Sequence, residues 1–152
     1  AKRHKARESF WTQFIDHMNT QNDLYTNISP TFRQVLVRSM GVTGVGLNVY
    51  CTKKYVRGEI YMSKGKREEN KSIFDFLFDQ RQQIEAAYGG ELVWERLDQG
   101  IHTRIKHQLD DVDWTNEKDW PRIMEFLSDS TTRFEQAFRD PIKQYKSQAL
   151  LG

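Results

Sequence analysis

Cysteine occurs once in this chain, at position 51, so no internal disulfide can form. That excludes a disulfide-stapled secreted scaffold and every Cys-x-x-Cys zinc or redox element. Histidine is scarce as well, and His4, His17, His102 and His107 lack the spacing of zinc ligands. No apolar run approaches the roughly 20 residues of a membrane-spanning helix, nor the apolar core of a signal peptide. No Ser or Thr stands on a nucleophile elbow. The one glycine-rich segment, GVTGVG at 41–46, lacks the Lys and Ser/Thr of a phosphate loop and precedes a predicted strand, so it reads as a turn. The expectation is a cytoplasmic protein with no membrane partner, no cofactor, no metal site and no catalytic residue.

What is present suits a packed domain. Of 152 residues, 38% are hydrophobic and 12% aromatic, enough for a core, while 29% are charged, which argues for a solvated exterior. The net charge of +2 hides an asymmetry: residues 1–67 carry twelve Lys/Arg against four Asp/Glu, and residues 68–152 carry eleven against seventeen. A chain so divided either presents a basic face to nucleic acid or folds two oppositely charged faces together.

Residues 70–97, NKSIFDFLFDQRQQIEAAYGGELVWERL, carry the clearest pattern. Asn70 reads as an N-cap, and Ile73, Phe74, Leu77, Arg81, Ile84 and Tyr88 recur at spacings of three and four. Gly89 and Gly90 then end the helix, and Leu92, Trp94 and Arg96 alternate with Val93, Glu95 and Leu97 as a strand. Upstream, Phe10, Trp11, Phe14, Ile15 and Met18 predict a first helix over 9–21, preceded by a basic, solvated lead-in. A loop over 22–31 and strands at 34–40, 47–52 and 56–62 follow, the last two joined by a tight turn at Lys53 and Lys54. In the third strand Val56, Gly58, Ile60 and Met62 are predicted to face the helices. Downstream, a three-residue loop at 98–100 leads into a strand over 101–108. After an acidic loop with Trp114 folded onto the core, Asp119 caps a last helix that Asp140 and Pro141 should kink or break. The predicted fold is α+β: a mostly antiparallel five-stranded sheet, a three-strand meander plus a hairpin, with helices packed on one face in the order α-β-β-β-α-β-β-α. It is read as a single domain over 1–152 and as the C-terminal part of a longer protein.

Two residue sets emerge as candidate sites. Tyr50, Tyr55, Arg57 and Tyr61 form an aromatic and basic set on the open face of the hairpin, fit for a protein landing surface or for stacking bases. Arg38, Lys53, Lys54, Arg57, Lys64, Lys66 and Arg67 are the cations that would carry DNA or RNA. Glu59 is read as the partner of Arg57, Arg104 or Lys106 across the sheet, and Cys51 as a small core residue. The element order also resembles the restriction-endonuclease fold, but Glu59-Ile60-Tyr61 lacks the required Lys and Asn48 stands in the rough place of the first acid.

Several patterns together resemble the bacterial and archaeal family of domains of unknown function numbered 4268. They are FW at Phe10 and Trp11, VRGEIYM at 56–62, Asn70 with FDFL at 74–77, IExxxGxxLxWE at 84–95, RI at Arg104 and Ile105, and DWP at 119–121. Gly58 departs from the bulkier strand residue usual there. The resemblance implies a C-terminal domain of larger prokaryotic proteins, including nuclease-like ones in restriction or phage defence, and it carries no catalytic residue. The leading expectation is therefore a non-catalytic accessory domain for sensing, docking or assembly, its partner another domain of the same protein or a separate protein. A nucleic-acid-binding module and a degenerate restriction-endonuclease-like nuclease using Glu59 and Glu95 are the alternatives.

Overall fold

The computed structural model describes residues 2–151. It contains helix α1 (Lys2–Asn19), strands β1 (Val35–Val42), β2 (Val45–Cys51) and β3 (Tyr55–Met62), helices α2 (Arg67–Phe78) and α3 (Arg81–Tyr88), strands β4 (Val93–Glu95) and β5 (Thr103–Asp110), a 3-10 turn (Glu117–Asp119) and helix α4 (Trp120–Leu151). The five strands make one antiparallel sheet in the order β1-β2-β3-β5-β4. Helices cover one face only, as the alternation of the strands predicts. Among the described residues, no helix is long and apolar enough to cross a membrane.

Register explains which side chains meet the helices. Leu47 pairs with Ile60, and Ile60 pairs with Ile105; Val45, Met62, Val49, Val56 and Cys51 lie on that same face. They divide into two apolar clusters. In the first, Phe10, Trp11, Phe14 and Met18 of α1 pack with Val49, Cys51, Val56, Ile123 and Leu127; in the second, Ile73, Leu77, Ile84 and Tyr88 pack with Leu47, Ile60, Ile105, Phe134 and Phe138. Helix α4 contributes to both clusters and is the spine of the fold.

Gly58 marks where α4 crosses the sheet. A Cβ there would stand 3.1 Å from Ser130 Oγ and 3.3 Å from the Phe134 ring, so glycine suits the close approach of this helix. Ser130 Oγ also lies 2.8 Å from Tyr88 Oη, which lies 2.6 Å from His107 Nδ1. This buried polar seam ties α4, α3 and β5 together. Burial raises the affinity of Tyr88 for its proton and, with Arg133 nearby, lowers that of His107.

Several details differ from the sequence expectation, beginning with α1, which starts at Lys2 and takes in the basic lead-in rather than starting near residue 9. The helix expected to run unbroken to Tyr88 divides after Phe78, which lets α3 lie against α4. Asn70 is not the N-cap: α2 begins at Arg67, and the buried Asn70 side chain accepts from Lys64 N and donates to the carbonyls of Lys64 and Ile101. The link between β4 and β5 is longer than three residues, because Lys71 Nζ donates to the carbonyls of Arg96, Leu97 and His102 and holds the chain off the ladder, with Leu97 at φ 54°. Helix α4 does not end at Pro141; Ile142 is buried and Tyr145 packs on Phe76, with ring centroids 5.4 Å apart. That packing offsets the hydrogen bond which proline cannot donate. Gly89 does end α3 as expected, in the left-handed region at φ 91°.

Candidate functional site

The sheet face away from the helices is built by the alternate positions of every strand. Asn48 of β2 stands across from Glu59 of β3, and Glu59 from Lys106 of β5; Tyr50 stands across from Arg57, and Arg57 from Gln108; Tyr61 stands across from Arg104, and Arg104 from Glu95 of β4. Tyr50, Tyr55, Arg57 and Tyr61 are thus brought together as the sequence alternation requires.

Arg57 organises the centre. Its Nε donates to Glu59 Oε1 at 2.7 Å, and its guanidinium carbon lies 4.3 Å from the Tyr50 ring centroid and 5.5 Å from that of Tyr55. Tyr61 Oη lies 2.6 Å from His102 Nδ1. At the β4 side, Glu95 Oε1 accepts from Arg104 Nε at 2.8 Å and lies 3.4 Å from Lys106 Nζ. Carboxylate and cation therefore alternate across the face, and its charge is largely neutralised internally. Glu59 has no exposed surface, and neither its Oε2 nor Asn48 Oδ1 has a hydrogen-bond partner among the described residues. They are two of six buried side-chain polar atoms left without partners among the described residues.

Burial raises the Glu59 carboxyl above its ordinary value of 4.5, with Arg57 acting in the opposite direction. A carboxyl so raised keeps its proton in the folded state where the unfolded chain has lost it. Its contribution to stability is full below the unfolded value and declines as pH rises through the folded one. Glu59→Gln keeps the shape without the charge. Its melting temperature is expected to gain on the wild type as pH is raised from about 4.5 to about 8. A deficit that stays constant across that range would show that the Arg57 ion pair offsets burial, and one that widens would show that it outweighs burial.

Along β1 and β2 the face opens into a groove of about 400 Å³, lined by Val35, Val37, Asn48, Tyr50 and Tyr61 among others. Val37 is 55% exposed on edge strand β1. Sequence reasoning missed this apolar strip, because a short β-branched run does not reveal which of its faces lacks a covering layer.

The seven cations proposed for nucleic acid do not form one surface. Arg38 points to the helix side, where it pairs with Glu135 of α4 at 2.7 Å. Lys53 and Lys54 occupy the β2–β3 turn, and Lys64, Lys66 and Arg67 follow the other end of β3, a strand length of roughly 25 Å away. Arg57 lies between them, neutralised by Glu59. Among the described residues, no three His, Cys, Asp or Glu side chains cluster as a metal site would require. The Cys51 thiol is buried and its pKa is pushed up to about 12 by that burial, which makes it inert as a nucleophile.

A family model described as a domain of unknown function (DUF4268) matches residues 6–142. This chain belongs to the DUF4268 family. Comparison with curated proteins and with solved structures gives no match. The family match spans all five strands, so the open face lies wholly within the DUF4268 segment. Glu85 has a structural part in this DUF4268 domain, its Oε2 accepting from Leu92 N at 2.7 Å and Trp94 Nε1 at 3.1 Å and so fastening α3 to the β4 hairpin.

Proposed function

We propose that this DUF4268 domain is a non-catalytic docking module whose open sheet face receives another protein, either a further domain of the same polypeptide or a separate chain, in the cytoplasm of a prokaryote. The observation that carries this reading is the composition of the uncovered face: an apolar strip at Val35 and Val37, half-buried tyrosines, and cations already matched by carboxylates. Such a surface has little net field for a polyanion and ample area for protein contact. The occupant that fits is a flat protein surface with an apolar strip that meets Val35 and Val37 and polar groups for the rims of Tyr50 and Tyr61. A place in restriction or phage defence belongs to the same proposal.

Photo-crosslinking in cells tests it. Benzoylphenylalanine at Val37 or Tyr61 of the full-length protein is expected to give one discrete adduct, or a discrete internal crosslink, that the same probe at Glu8 on the exposed side of α1 does not give. Equal labelling at all three positions would overturn the docking face.

A further inference from the structure

At the end of the molecule remote from α2, the segment after β5 folds back over the β2–β3 turn. Asp111 N donates to the Lys54 carbonyl at 3.0 Å and Trp114 N to the Thr52 carbonyl at 3.3 Å. Trp120 Nε1 donates to the Trp114 carbonyl at 2.6 Å, and both indoles pack edge-on against Phe10 of α1. Between α1 and this segment lies a groove of about 690 Å³, within the range of sites that enclose one small-molecule unit.

Its rim is basic. Lys2 and Arg3 of α1, Lys53 of the β2–β3 turn and Lys118 of the 3-10 turn line it, against the single carboxylate of Glu117. These four cations come from three separate parts of the sequence. None takes part in an ion pair among the described residues, unlike Arg57, Arg104 and Lys106 on the open face. The first turn of α1 has no acidic residue to offset Lys2 and Arg3. The apolar wall is indole, with Trp120 half-buried and Trp114 beneath it.

We propose that this groove binds single-stranded nucleic acid, its phosphates held by Lys2, Arg3, Lys53 and Lys118 and one base lying against Trp120. Unneutralised cations around an aromatic wall match a chain that alternates phosphate with planar base. A duplex keeps its base faces stacked inside, and an acidic peptide offers the charge without the planar ring. The site shares only Lys53 with the cations read from the sequence, and it stands independently of the docking face.

Fluorescence anisotropy with a labelled 15-nucleotide oligothymidylate, on the 152-residue chain at low salt, tests the assignment. Binding is expected to weaken steeply with salt. Arg3→Glu combined with Lys118→Glu is expected to weaken it at least about tenfold and to flatten the salt slope by about 0.7 for each phosphate no longer neutralised. Lys53→Glu alone, on an exposed turn, should weaken it less but in the same direction. Lys64→Glu with Lys66→Glu, at the far end of β3, should leave binding unchanged. A flat titration overturns the proposal. So does equal affinity for a blunt duplex or for polyglutamate of the same charge, or equal weakening by the Lys64 and Lys66 variant; circular dichroism checks that each variant is folded.

Discussion

Replacing Phe134 by alanine is expected to destabilise the fold by about 3–5 kcal/mol, a large share of what holds a domain of this size together. Phe134 has no exposed surface and stands where α4 crosses β3. Its ring lies 4.9 Å from Tyr88 and 5.7 Å from Phe138, centroid to centroid. The neighbours are poorly placed to fill the space it would leave. Gly58 has no side chain to move inward, and Tyr88 is tethered at its hydroxyl between His107 and Ser130. A cavity that cannot collapse carries the high end of the cost. Urea denaturation followed by circular dichroism gives the number, provided the slope with denaturant is unchanged. A loss under about 1 kcal/mol would mean that the crossing is looser than the structure shows.

The same site admits a coupled test. Gly58→Val places branched carbon against Ser130 and Phe134 and should cost about 1–3 kcal/mol by overpacking. With Phe134→Leu in the same chain the added methyls gain room, so the double variant should lose less than the two single losses combined. Strict additivity would separate Gly58 from the crossing.

The elements most legible in the sequence are those whose apolar residues lie on one side. Alternation in 56–62 places Val56, Gly58, Ile60 and Met62 toward the helices, and the spacing of Phe10, Trp11, Phe14 and Met18 places the face of α1; both hold because one face meets apolar groups and the other does not. The division between α2 and α3 is not legible, since Leu77 and Ile84 are seven residues apart and keep the stripe in phase across the break. The β4–β5 link misleads for a different reason. Its path is set by Lys71, which sits in another element and donates to three carbonyls, and local turn chemistry carries no trace of so remote a partner.

The candidate sites divide along the same line. Tyr50, Tyr55, Arg57 and Tyr61 share a face because strand alternation and one hairpin register suffice to say so. The groove between α1 and the 114–118 segment needs residues more than a hundred positions apart, and Lys2, Arg3 and Lys118 give no local sign of converging. Counting charge by chain half locates Lys53 and Lys54 but does not tell a free cation from a paired one. Glu135, in the acidic half, reaches Arg38 in the basic half, which is the case where two opposite charges attract each other inside the fold.

Arg38 is therefore expected to behave as a structural residue, and Arg38→Met to destabilise by about 2–3 kcal/mol. Its Nη1 donates to Glu135 Oε2 at 2.7 Å and its Nε to the Leu24 carbonyl at 2.9 Å, joining β1 to α4 and to the loop after α1. The two side chains are 20% and 10% exposed, so water screens the pair little. Removing the cation leaves Glu135 with only its solvent-facing partner Arg139 and leaves the Leu24 carbonyl without its donor. This keeps the cost below that of a fully orphaned buried charge. If the loss arises from the stranded carboxylate, Glu135→Met in the Arg38→Met background should restore much of it, because two apolar side chains need no partner. Urea midpoints for the wild type, both single variants and the double variant close that cycle. Oligonucleotide affinity, measured where all four remain folded, should not differ among them, because Arg38 faces α4. An Arg38→Met chain that keeps its stability within about 0.5 kcal/mol yet binds the oligonucleotide more weakly would return Arg38 to the binding surface and remove it from the fold.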